Sequence, residues 1–140
     1  MMPELKHTIL EIDDHIARVE LKRPPVNALN TEFVAELTEL ASRLAADDAV
    51  WLVVVSSRQK VFSAGADLKE RAGIPDSQVL PIVQGIQVLA KTWGEIPQVV
   101  LMGIQGAALG GGLEFALAAD LLAASHDATL GLPEVSLGIL

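Results

Sequence analysis

The sequence predicts an α/β fold in which buried strands alternate with helices, and three observations predict it. Residues 50–56 and 99–104 are short apolar runs rich in β-branched residues, of the kind that form strands covered on both faces. Segments with apolar residues at helical spacing lie between and around them. Loops of small residues, 63–67 and 106–112, stand where one element passes to the next.

Taken in order, residues 7–11 and 15–21 are β-type runs separated by Asp13-Asp14 and read as a hairpin. Arg23-Pro24-Pro25 ends the second run, because proline cannot donate to a ladder. Asn30 is a good N-cap for a helix over 31–46, where Phe33, Val34, Leu37, Leu40, Ala41 and Leu44 share one side. The strand 50–56 follows, then the loop 63–67. A second helix is predicted over 76–93, although Pro81 and Gly85 oppose it. Pro97 precedes the strand 99–104, residues 106–112 are a turn, and a third helix covers 112–119. Residues 121–124 and 129–130 are short strands.

The 140 residues suit one domain, 1–140, with a sizeable core. With 51% hydrophobic and 20% charged residues, disorder is excluded. The absence of cysteine removes disulfides, thiol nucleophiles and thiolate metal sites. His7, His15 and His126 lack ligand spacing, so no metal site is expected. A net charge of −8 argues against general nucleic-acid binding. The start carries no signal-peptide pattern, and a cytoplasmic location is expected. Residues 99–124 are apolar enough to suggest a membrane span, but Glu114 and Asp120 would each cost about 3 kcal/mol there. No membrane partner is expected.

Two segments could carry chemistry. The loop through Ala64, Gly65 and Ala66 runs from a buried strand towards Asp67, a possible N-cap, and its backbone N–H groups could face an anion or a polarised oxygen. The bland alternative is a tight crossover. Gly110, Gly111 and Gly112 each oppose helix by about 1 kcal/mol relative to alanine. Close approach of a ligand to the backbone is one reason for them, and tight packing of a helix on the sheet is the other. Two N–H groups aimed at one oxygen would form an oxyanion hole. Nucleotide-binding fingerprints do not fit, since no Lys-Ser or Lys-Thr follows the glycines and the spacing is not that of a dinucleotide loop.

Glu114 and Glu134 stand among apolar neighbours. Each is either a solvated surface acid or a buried group whose raised pKa would suit proton transfer. Arg58, Lys60, Lys69 and Arg71 bracket the first loop, and Lys22 and Arg23 end the second strand. They are either solvated charges or a docking surface for a phosphate-bearing ligand.

Four motifs tie these pieces together: Arg23-Pro24-Pro25-Val26-Asn27-Ala28-Leu29-Asn30, Phe62-Ser63-Ala64-Gly65-Ala66-Asp67-Leu68, Gly106-Ala107-Ala108-Leu109-Gly110-Gly111-Gly112-Leu113-Glu114 and Gly131-Leu132-Pro133-Glu134. In this order the sequence resembles the enoyl-CoA hydratase/isomerase, or crotonase, family across nearly its whole length. The run Ala66-Asp67-Leu68-Lys69-Glu70-Arg71 is most similar to the methylglutaconyl-CoA hydratase branch. The resemblance implies a spiral of ββα units, acyl-CoA thioester substrates and homo-oligomers, trimers or hexamers in full-length relatives. It implies that the N–H groups of Ala66 and Gly111 form an oxyanion hole. Glu114 would orient and deprotonate water attacking the β-carbon, and Glu134 would deliver the proton to the α-carbon. Coenzyme A, part of the substrate rather than a cofactor, would run along Pro25, Val26, Ala64, Ala66, Leu68 and Gly110. The activity implied is a lyase reaction of fatty acid metabolism, hydration of the 2,3 double bond. An enoyl-CoA isomerase and a catalytically inactive acyl-CoA-binding fragment are the alternatives; two glutamates favour the hydratase.

Relatives of this kind continue with a Pro-Gly-x-Gly-Gly segment and a helical C-terminal region, whereas this sequence stops at Leu140. The expectation is therefore the N-terminal catalytic part of the fold, truncated before that region, with an exposed apolar edge that favours association. The 140-residue chain alone is expected to hydrate crotonyl-CoA slowly or not at all. A direct assay of the purified chain checks this, and robust turnover would contradict it.

Overall fold

The computed structural model describes residues 4–137. The hairpin is present. β1 (Thr8–Asp13) pairs antiparallel with β2 (Ile16–Leu21), joined by Asp14 and His15 at φ 46° and 66°. Positive φ at both turn residues matches the right-handed twist of the strands, as in a type I′ turn. The chain then crosses through α1 (Thr31–Ala45) to β3 (Leu52–Ser57), parallel to β2. The Asn30 side chain accepts from the Phe33 N–H at 2.9 Å, the predicted N-cap.

Between β3 and β4 (Val99–Ile104) lie α2 (Leu68–Ala72), a 3₁₀ turn (Asp76–Gln78) and α3 (Val79–Glu95). The sequence reading has no α2 and starts the long helix at 76. Pro81 falls in the first turn of α3, where its missing N–H costs no helical hydrogen bond, so the helix forms in spite of it. β5 (Ala107–Leu109) lies inside the segment read as a turn. It pairs in parallel with β7 (Thr129–Gly131), a partner 22 residues away that no local pattern reveals. α4 (Gly111–Leu117), β6 (Leu121–Ala124) and α5 (Glu134–Leu137) complete the described chain, and Glu134 opens α5.

The main sheet has the order β1-β2-β3-β4-β6, and β5-β7 forms a second, two-stranded sheet. The helices α1 and α3 cover one face of the main sheet. Val19, Val53, Val55, Val100 and Met102 pack there with Phe33, Leu37 and Leu40 of α1 and Leu89 and Trp93 of α3. Burial on both faces of β3 and β4 is not found. Leu52, Val54 and Leu101 are only partly buried and Val99 is exposed, because among the described residues no helix lies over that face. Leu117, Leu121, Leu122, Leu130, Leu132 and Val135 are also exposed. Leu140, where the sequence reading places an apolar edge, lies outside the described residues. No described helix is long and apolar enough to cross a membrane.

Trp93 links the covering helices to the element that carries the glycines. It is 1% exposed, its Nε1–H donates to the Leu37 carbonyl at 3.0 Å, and its ring meets Phe115 of α4 edge-on at 5.4 Å. Phe115 also stacks on Phe62, which precedes the first loop. Trp93→Ala is expected to lower stability by about 3–5 kcal/mol. Urea unfolding followed by circular dichroism checks this, and a loss below about 1 kcal/mol would show that the surroundings refill the space.

Candidate active site

The two loops of small residues lie side by side. Phe62 and Ser63 N–H both donate to the Ala107 carbonyl, at 3.0 and 3.1 Å, and Leu109 N–H donates to the Ser63 carbonyl at 3.0 Å. These bonds align residue 63 with residue 108 as in a parallel ladder. The backbones then approach so closely that side chains have no room. A Cβ on Gly65 would stand 2.6 Å from the Leu109 oxygen and 3.2 Å from the Gly111 nitrogen. One on Gly112 would stand 2.6 Å from the Ser63 oxygen.

The directions of two amides follow from their own peptide planes. A trans peptide points its N–H opposite to its carbonyl. The Gly65 carbonyl accepts from Leu29 N–H at 2.8 Å, so the Ala66 N–H points away from Leu29. The Gly110 carbonyl accepts from Leu113 and Glu114 N–H, both at 3.0 Å, so the Gly111 N–H points out of α4. Neither the Ala66 nor the Gly111 N–H has an acceptor among the described residues. Gly111 is buried and Ala66 partly buried, and backbone donors removed from water are mostly paired. Two unpaired ones on adjoining loops are what an oxygen of a ligand would satisfy.

Gly110 is the N-cap of the helix that carries Glu114, and it lies under the Glu134 carboxylate. Its N–H donates to the Gly131 carbonyl at 2.9 Å, which draws β7 and the turn after it alongside. That turn lays the Glu134 carboxylate over Gly110, where a Cβ would meet Oε1 at 2.7 Å. Gly110 also has φ +53° with ψ −126°, a conformation glycine adopts without strain. Glu134 is partly buried. Glu114, in the first turn of α4, is exposed, while its neighbours Leu113, Phe115 and Ala116 face the core. Of the two readings that its sequence surroundings leave open, the solvated one is found, because the helix turns this position outward.

The remaining expected residues fall in the same region. Ala64 N–H donates to the Val26 carbonyl at 3.0 Å, which joins the Pro25-Val26 segment to the first loop. Pro25, Ala64 and Leu68 are exposed and Val26 partly so. The basic set is divided. Arg23 Nη1 donates to Asp67 Oδ2 at 2.9 Å and to the Ala28 carbonyl at 2.8 Å, and Arg58 pairs with Glu20 at 3.0 Å. Lys22, Lys60, Lys69 and Arg71 make no ion pair among the described residues. No group of described histidine, aspartate and glutamate side chains could hold a metal ion.

The enoyl-CoA hydratase/isomerase family matches residues 11–140. The chain belongs to that family. Among curated relatives, Bacillus subtilis YngF, named as an enoyl-CoA hydratase/isomerase, is 42% identical over 130 residues, 91% of this chain and 50% of that protein. The human mitochondrial enoyl-CoA hydratase domain-containing protein 2 is 40% identical over 130 residues, 91% of this chain and 44% of its own length. Among solved structures, an enoyl-CoA hydratase from Bacillus anthracis superposes with a TM-score of 0.92 at 33% identity, over 96% of this chain and 54% of the other. Pseudomonas aeruginosa DspI does so with a TM-score of 0.94 at 30% identity, over 99% and 53%. The fold is therefore that of crotonases, and the chain spans about half the length of the curated relatives it matches.

Asp67, expected only as a cap, does more within this candidate site. Its Oδ1 does accept from the N–H groups of Lys69 and Glu70, at 3.0 and 3.2 Å. Its other oxygen holds Arg23, 44 residues back in the sequence, a pairing visible only once the loops meet. Burial pushes the Asp67 carboxyl up, but the Glu70 amide, the Arg23 guanidinium and the Lys69 amide outweigh burial and hold it below the usual value. A carboxyl lowered by folding adds stability above its unfolded pKa, near 4, and loses it as pH falls towards the folded value. Asp67→Asn is expected to be less stable than the parent at pH 7, with the difference narrowing below about pH 4. Urea unfolding of both proteins at pH 7 and pH 3 checks this; a difference that stayed constant would mean the charge is not the cause.

Proposed function

We propose that this chain carries the reacting groups of an acyl-CoA hydratase, which adds water across the 2,3 double bond of an enoyl-CoA thioester. The observation that carries the reading is the pair of amides without an acceptor among the described residues, Ala66 and Gly111, on adjoining loops, with the Glu134 carboxylate against the neighbouring Gly110. Attack of water on the β-carbon moves electrons through the conjugated system onto the thioester oxygen. Two preorganised N–H donors would stabilise that enolate charge as it forms, and loss of one such donor commonly costs about 3 kcal/mol of barrier. Glu114, open to solvent, is suited to orient the water and take its proton. Glu134, lying against Gly110, would then protonate the α-carbon.

Coenzyme A would enter as part of the substrate along Pro25, Val26, Ala64, Ala66, Leu68 and Gly110. The unpaired Lys22, Lys60, Lys69 and Arg71 supply positive charge for its phosphates on a chain whose net charge is −8.

Measured on this chain or on a longer protein that contains it, Glu114→Gln and Glu134→Gln are each expected to slow hydration of crotonyl-CoA by about 10²–10⁴-fold. Hydration at the parental rate by Glu114→Gln would refute its role with water. Migration of a 3,4 double bond that needs only one of the two carboxylates would identify an isomerase. Calorimetric binding of CoA without turnover of either substrate would identify a non-catalytic acyl-CoA binder.

A further inference from the structure

We propose that Ser63 is a positioning residue that holds the Ala66 and Gly111 amides at the spacing one thioester oxygen requires; this rests on the oxyanion reading above. Ser63 is wholly buried, and each of its polar groups is engaged. Its N–H donates to the Ala107 carbonyl and its own carbonyl accepts from Leu109 N–H. Its hydroxyl donates to the Asn27 carbonyl at 2.8 Å and accepts from Gly65 N–H at 3.1 Å.

The hydroxyl acts on the first amide. With its N–H on Ser63 Oγ and its carbonyl on Leu29, Gly65 is gripped on both sides and held at φ +89°. The direction of the next N–H, that of Ala66, is then set. The main chain and Cβ of Ser63 act on the second amide. A Cβ on Gly112 would meet the Ser63 oxygen at 2.6 Å and its Cβ and Oγ at 2.8 Å, so Ser63 is packed against the residue after Gly111. Its anchor is itself held. Asn27, buried at φ 49°, donates through Nδ2 to the Phe62 carbonyl and to Ser57 Oγ, at 2.9 and 2.8 Å, and accepts from Arg23 N–H through Oδ1. Ser63, through its side chain and main chain together, therefore ties the Pro-Pro segment, the first loop and the second loop to a common reference.

Ser63→Ala, in this chain or in a longer protein that contains it, tests this, because it keeps the main-chain and Cβ contacts with Gly112 and removes only the hydroxyl. The turnover number for crotonyl-CoA is expected to fall by about tenfold to a hundredfold, with KM changed by less than about twofold. The infrared carbonyl band of a bound, ¹³C-labelled saturated acyl-CoA should move back towards its position in water. Ser63→Cys, with similar shape and a weaker donor, should restore part of both. A merely structural role would lower the melting temperature and leave the band where it is. Parental turnover with a parental band in Ser63→Ala would overturn the proposal. If the alanine variant does not fold, Ser63→Cys decides, since a parental band there would overturn it as well. A band that does not shift when the parent binds the thioester would overturn the oxyanion reading itself, and this proposal with it.

Discussion

The backbones of two loops come together more closely than any side chain at the contact would allow, and the rest of the site depends on that approach. Glycine at 65 and 112 leaves the Leu109 and Ser63 carbonyls free to occupy the space of a methyl group. The hydrogen bonds from Phe62, Ser63 and Leu109 then close the gap between the loops. Without the approach, the Ala66 and Gly111 amides would face separate stretches of solvent. With it, they share one neighbourhood while their carbonyl partners are committed elsewhere, to Leu29 and to the first turn of α4. The cost of three consecutive glycines beside a helix is offset by contacts that only glycine permits.

The core supports that approach from below. Phe62 and Phe115, the side chains nearest the two loops in sequence that are fully buried and aromatic, stack on each other, and Trp93 locks Phe115 to α1 and α3. The loops are therefore seated on a packed aromatic cluster rather than suspended over the sheet. Rigid seating matters for the proposed chemistry, because donors that must not reorganise during reaction need neighbours that cannot yield. The two carboxylates are treated differently by the same frame. β7 and the turn after it carry Glu134 across Gly110, whereas α4 turns Glu114 out towards water.

Much of this was legible in the residues. Asn30 announces the start of α1, and the spacing of Phe33, Val34, Leu37, Leu40, Ala41 and Leu44 names the side that packs. Both signals are local, so the sequence carries them whole. The small-residue loops were also legible as places where backbone could be presented, but packing and ligand approach ask for the same glycines, and the sequence left that choice open. β5 was misread because its three residues have no pattern of their own; their pairing with 129–131 and with Ser63 is what makes them a strand. The Arg23–Asp67 pair and the Asn27–Ser63 link were invisible for the same reason, since they join residues 44 and 36 positions apart.

By itself the sequence determined the fold class, the order of the larger elements, the family resemblance and the identity of the candidate groups. These rest on composition, periodicity and ordered motifs, which a linear string preserves. The tertiary structure alone decided which donors stay unpaired, which glutamate is exposed and which face of the sheet is covered. Each of those depends on what lies across a gap of a few ångströms from a residue far away along the chain, and neither spacing nor composition records that distance.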